Sequence, residues 1–70
     1  MKLNNERLRA FYQAAIDRNF HRAADSLCIS QSALSQRVMK LEQDIEATLF
    51  IRGNDGISLT SAGSVLFDYV

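Results

Sequence analysis

From Leu8 onward the apolar residues of this 70-residue chain recur at intervals of three and four. Leu8, Phe11, Tyr12 and Ala15 stand at i, i+3, i+4 and i+7, the spacing that gathers side chains on one face of a helix. The helix they predict starts at a cap from Asn4 or Asn5 and ends near Asn19. Phe20, Ala23, Ala24 and Leu27 repeat the same spacing, and Leu34, Val38, Leu41 and Ile45 predict a third buried stripe. Between these two, Cys28-Ile29-Ser30 breaks the pattern with a β-branched residue and a capping residue. Ser30 is placed to cap the third helix; either Asn19 or His21 can cap the second. Phe20 to Leu41 therefore reads as two short helices joined by a tight turn, with the first helix lying across them. Phe11 and Phe20 are expected inside the junction, each contributing about 1.5–3 kcal/mol on burial.

Past the third helix the pattern changes. Two short β-prone runs, Leu49 to Arg52 and Ile57 to Leu59, flank Gly53-Asn54-Asp55-Gly56, and Asp-Gly between such runs predicts a hairpin. Thr60 then caps a last helix carrying Ala62, Val65, Leu66, Tyr69 and Val70. That stripe is still running at Val70, which implies a longer native chain or a partner for the stripe, and a symmetric dimer is the economical partner. The expected fold is mainly α, a winged helix-turn-helix with a three-helix core and a short hairpin wing over residues 1–59. Residues 60–70 begin a linker and dimerisation helix.

Composition narrows the classes. Seventy residues allow one small core, and 47% hydrophobic with 23% charged residues and no proline suits a folded, mostly helical domain. No apolar run reaches the ~20 residues of a membrane span, and Met1 to Ala10 lacks the apolar centre of a signal peptide. The expected location is the bacterial cytoplasm, at the nucleoid. One His and one Cys cannot make a structural zinc site, no G-x-S-x-G elbow accompanies the serines, and neither an enzyme nor a cofactor is expected. Cys28 is expected as a small buried apolar residue in the turn.

A formal net charge of zero argues against a nucleic-acid binder when taken alone. Its distribution argues otherwise. Residues 18–40 carry Arg18, Arg22, Arg37 and Lys40 against Asp25 alone, whereas residues 41–70 carry five acidic side chains against Arg52. The outer face of the third helix holds Ser32, Gln36, Met39 and Lys40, flanked by Gln31 and Ser35. Gln can bond an adenine edge bidentately, Ser can bond base edges or phosphate, and Lys neutralises phosphate. Ser and Gln also face solvent on ordinary surface helices, and the two-helix spacing weighs in favour of DNA. Arg52, at the hairpin edge, can lie on phosphate or reach a narrow minor groove. His21 and Arg22, at a helix start, can touch a phosphate or stay solvated.

The run RAADSLCISQSALSQRVMKLEQDIEATLFIR with ISLTSAG after it resembles the N-terminal DNA-binding domain of the LysR-type transcriptional regulators. Ala23-Ala24, Ser30 to Ser35, Leu41-Glu42, Leu49 to Arg52 and Leu59 to Gly63 match that family's pattern, which spans nearly the whole chain. The resemblance implies double-stranded DNA as partner. It also implies a homodimer through the linker helix at Ala62, Val65, Leu66 and Tyr69, a dimer or tetramer of the full-length protein, and a small-molecule effector bound by a C-terminal domain absent here. It implies that Gln31, Ser32, Ser35 and Gln36 meet base edges and backbone in the major groove, with Arg52 at the wing. Two residues depart from the pattern. Glu46 stands where the family usually has Gly, which implies a different helix end or a strained one. Asp55 stands in a wing loop often basic in relatives, which weakens the implied wing contact. The order Ser35-Gln36-Arg37, in place of the commoner Ser-Arg-Gln, is similar to that of relatives answering to basic amino acids. Two rivals stay open: a winged helix that only docks protein, compatible with zero net charge, and, more remotely, a small hydrolase.

Overall fold

The computed structural model describes residues 5–70. In order the elements are α1 (Asn5–Asp17), α2 (Phe20–Leu27), α3 (Gln31–Ile45), β1 (Phe50–Gly53), β2 (Gly56–Leu59) and α4 (Ser61–Tyr69). This is the winged helix-turn-helix expected from the hydrophobic pattern. The cap expected from Asn4 or from the Asn5 side chain lies outside the described residues.

The core joins all three elements of the helical unit to the first strand. Ala10, Phe11, Ala14, Phe20, Ala23, Ala24, Leu34, Val38 and Leu41 are buried, together with Leu49 and Phe50. Three phenylalanines bind α1, α2 and β1 together. The Phe50 ring lies 5.4 Å from Phe11, and 5.6 Å from Phe20 in a T-shaped contact, the edge-to-face arrangement that ring quadrupoles favour. Ile45, expected in the buried stripe of α3, is only half-buried.

One residue of the α1 stripe is displaced from its expected place. Tyr12 is 39% exposed, because the buried face of α1 runs through Ala10, Phe11 and Ala14 and leaves Tyr12 at its edge. There the ring stacks on Phe67 of α4, with centroids 5.2 Å apart.

Helix ends follow from capping chemistry. Asn19, not His21, caps α2, its side chain accepting from the Arg22 N–H at 2.9 Å, and Ser30 caps α3 by accepting from Ala33 N–H at 3.0 Å. Cys28 ends α2 in the left-handed region, φ 58°, and this overturns its expected burial. In that conformation its backbone N–H turns back to the last carbonyls of α2 while the side chain projects outward, exposed. Ile29, which follows, is half-buried instead.

Glu46 ends α3 at φ 55°, with its N–H on Gln43 O and the Ala47 N–H on Glu42 O. The helix therefore closes as it would with glycine, at the steric cost a Cβ meets there. Glu46→Gly should raise stability by about 1 kcal/mol, read as a rise in the urea midpoint at unchanged slope. A lower midpoint would show that the Glu46 side chain makes compensating contacts.

The hairpin pairs antiparallel, Phe50 with Leu59 through Gly53 with Gly56. Its loop is Asn54-Asp55, and the positive φ falls on Gly56, 114°. A Cβ on Gly56 would stand 2.5 Å from Arg18 O, and Ile57 N–H donates to that same carbonyl at 3.3 Å. The turn end of the wing is thereby pinned to the end of α1.

Candidate nucleic-acid interface

The turn between α2 and α3 spans only Cys28 to Ser30, so α3 leaves α2 at a fixed angle while its inner side, Leu34, Val38 and Leu41, packs into the core. A helix of 15 residues is about 22 Å long, and its outer side is open over that length. Gln31, Ser32, Gln36, Met39 and Lys40 are exposed, and Ser35 is half-buried at the inner edge.

Arg52 is drawn to the same face. It sits on β1, exposed, and its guanidinium lies 4.6 Å above the Phe20 ring in a cation–π contact. Ser35, Gln36, Met39 and Arg52 line one cleft of about 350 Å³, floored by Phe20 and Phe50. The structure thus brings Arg52 beside the outer face of α3 rather than to the tip of the hairpin, where Asp55 lies exposed.

Arg22 and His21 lie exposed at the start of α2. His21 Nε2 is 3.6 Å from Asp25 Oδ2 one turn on, in a pair with both side chains about three-quarters exposed.

Charge is sorted by these contacts. Arg7 on α1 bonds Asp44, and Arg37 lies 3.8 Å from Glu6, which removes Asp44 and Arg37 from the unpaired surface charge. Glu42, which also lines the cleft, accepts from Leu49 N–H at 2.7 Å and fastens the loop after α3 to the helix. Among the described residues Arg22, Lys40 and Arg52 form no ion pair. The protein's net charge of zero therefore conceals an α3 face that is polar to positive.

The α4 stripe is divided. Ala62, Leu66 and Phe67 pack against the core, and Gly63 is buried where α4 crosses Leu49. Val65 and Tyr69 face away, 70% and 87% exposed. Of the expected dimerisation residues, Ala62 and Leu66 thus serve the domain's own core. Among the structural residues the hydrophobic pattern did not single out are Ala10, Ala14, Leu49, Phe50, Gly63 and Phe67. Leu49 and Phe50, in a short apolar run after a helix, carried a readable signal.

Two consecutive helices around a three-residue turn, the second open to solvent beside a strand hairpin, make this a winged helix-turn-helix domain. Residues 5–64 match the family model described as bacterial regulatory helix-turn-helix protein, lysR family. The chain belongs to that family. The transcriptional regulator HdfR of Yersinia enterocolitica is 42% identical over 67 residues, which cover 96% of this chain and 23% of HdfR. The chain thus spans about a quarter of that relative's length. Among solved structures, the DNA-binding domain of BenM in complex with catB site 1 DNA superposes with a TM-score of 0.91 at 31% identity, covering 96% of this chain and 75% of that one. DarR of Vibrio fischeri, in complex with DNA, gives 0.92 at 30% identity over 99% of this chain and 24% of DarR.

Proposed function

We infer that the chain is the DNA-reading domain of a LysR-type transcriptional regulator and enters the major groove of duplex DNA with α3. The observation that carries this reading is the outer face of α3, an open surface of amide, hydroxyl and ammonium groups, beside which Glu42 is engaged by Leu49 N–H and Asp44 by Arg7. Gln31 and Gln36 have the donor and acceptor pair that matches an adenine edge. Ser32 and Ser35 bond base edges or backbone, and Lys40, Arg52, Arg22 and His21 meet phosphate. Family membership and the two DNA-bound neighbours support the assignment. Regulation rather than catalysis is the activity proposed, with the bacterial cytoplasm as its place.

The domain measures 29 × 23 × 18 Å, shorter than the ~34 Å of one duplex turn, so one copy reads one half-site. A homodimer through α4 supplies the second reading helix, with Val65 and Tyr69 at its centre. The core role of Leu66 makes Tyr69→Asp the cleaner test of that contact. In a longer protein, dimeric or tetrameric, a small-molecule effector would act through a separate C-terminal domain.

Titration of the chain against a duplex selected from a random pool, at 50 to 200 mM salt, tests the proposal. The logarithm of the binding constant should fall linearly with the logarithm of salt, and Arg52→Ala should lower affinity alike on all sequences and flatten that slope by about one unit. A chain that binds no duplex would contradict the proposal and leave the protein-docking reading in its place. An unchanged slope removes Arg52 from the interface.

A further inference from the structure

We propose that Met39 is a specificity-determining residue that reads the C5-methyl group of a thymine in the major groove. The proposal rests on the DNA-reading role of α3 and extends it to a side chain which hydrogen-bond chemistry does not select.

Met39 follows Ser35 by four residues and Gln36 by three, so it stands one turn further along the same face. It is 49% exposed. The other exposed large apolar side chains, among them Ile51, Val65 and Tyr69, belong to the wing, α1 or the chain's last residues. Met39 is the one on α3. It forms part of the cleft shared with Ser35, Gln36, Glu42, Thr48 and Arg52, where polar side chains, a cation and a carboxylate already engaged by Leu49 N–H stand next to an apolar floor. Such a lining offers polar partners at one side and apolar contact for a small group at the other.

Among the groups that base pairs present in the major groove, the thymine C5-methyl is the apolar one, and it lies beside the adenine edge that a glutamine reads. An unbranched thioether adapts to such a methyl without fixed geometry. Gln36 on adenine and Met39 on a neighbouring thymine methyl together read an A·T-containing step, with Arg52 on the adjoining backbone.

The test uses a duplex selected by the 70-residue chain from a random-sequence pool, in which each thymine in turn is replaced by deoxyuridine, removing only the methyl group. At one position the parent chain should lose about fourfold in affinity, the worth of one buried methyl. Met39→Ala should be indifferent to the same replacement, and Met39→Leu should regain the sensitivity. Because the side chain is half exposed, Met39→Ala should melt like the parent, which separates contact from folding. Parent and Met39→Ala responding alike to every replacement would overturn the assignment, as would a selected sequence with no thymine. Selection that enriches no sequence at all would instead remove the base-reading role of α3 as a whole.

Discussion

Leu34→Ala should destabilise the domain by about 2–5 kcal/mol. Leu34 is fully buried on the inner side of α3, so truncation removes its transfer energy and leaves a void that the surrounding helices cannot fully close. A domain of this length holds only about 4–10 kcal/mol in total, so the variant should be partly unfolded at 37 °C. Its urea midpoint, followed by circular dichroism at 222 nm, measures the loss. A midpoint equal to the parent's would mean that the inner face of α3 is not packed as described, and the placement of its outer face would fall with it.

Gly63→Ala should cost about 3 kcal/mol, although it adds one methyl group. A Cβ at Gly63 would stand 2.2 Å from Leu49 O and 3.0 Å from Leu59 Cδ2. Leu49 is fully buried, and its carbonyl accepts from Thr60 N–H at 3.0 Å, so neither the acceptor nor the strand can move away cheaply. Overpacking of this kind shifts backbone, and here it pushes α4 off the base of the wing. The preference of helices for alanine over glycine works in the opposite direction by about 1 kcal/mol, so a stabilised variant would show the α4 crossing to be loose. Ser64→Ala, one residue on and exposed, should change stability by less than about 0.5 kcal/mol.

These two sites differ in how far they could be read in advance. Leu34 belongs to a stripe at 4, 3 and 4 spacing, and a regular stripe reports the buried side of its own helix whatever it packs against. Gly63 has no side chain to enter a pattern. Its requirement comes from Leu49, fourteen residues away, and exists only once the hairpin has folded back. The same limit explains Leu66, whose spacing fitted an exposed stripe with Val65 and Tyr69 equally well. Which half of an amphipathic helix faces inward is decided by the partner, here Phe67 against Tyr12 and Leu66 against the core. Cys28 and Glu46 show a further limit. Both adopt positive φ without being glycine, because the helix-ending hydrogen bonds of Cys28, Glu46 and Ala47 outweigh local steric preference. Residue type alone would have denied it. The reading face was legible because it needs only the helix and the identity of its outer residues. Arg52 was legible as a cation at the hairpin edge, but its place over Phe20 depends on a tertiary contact.

The central claim is that the outer face of α3 reads bases rather than holding DNA by charge alone. The most direct measurement compares Gln36→Ala with the parent on a selected duplex and on the same duplex changed at one base pair at a time. The account predicts a loss of about 1–3 kcal/mol on the selected duplex, relaxed preference at a single base pair, and little change on mixed-sequence DNA. An equal loss on every duplex, or none on any, would contradict it.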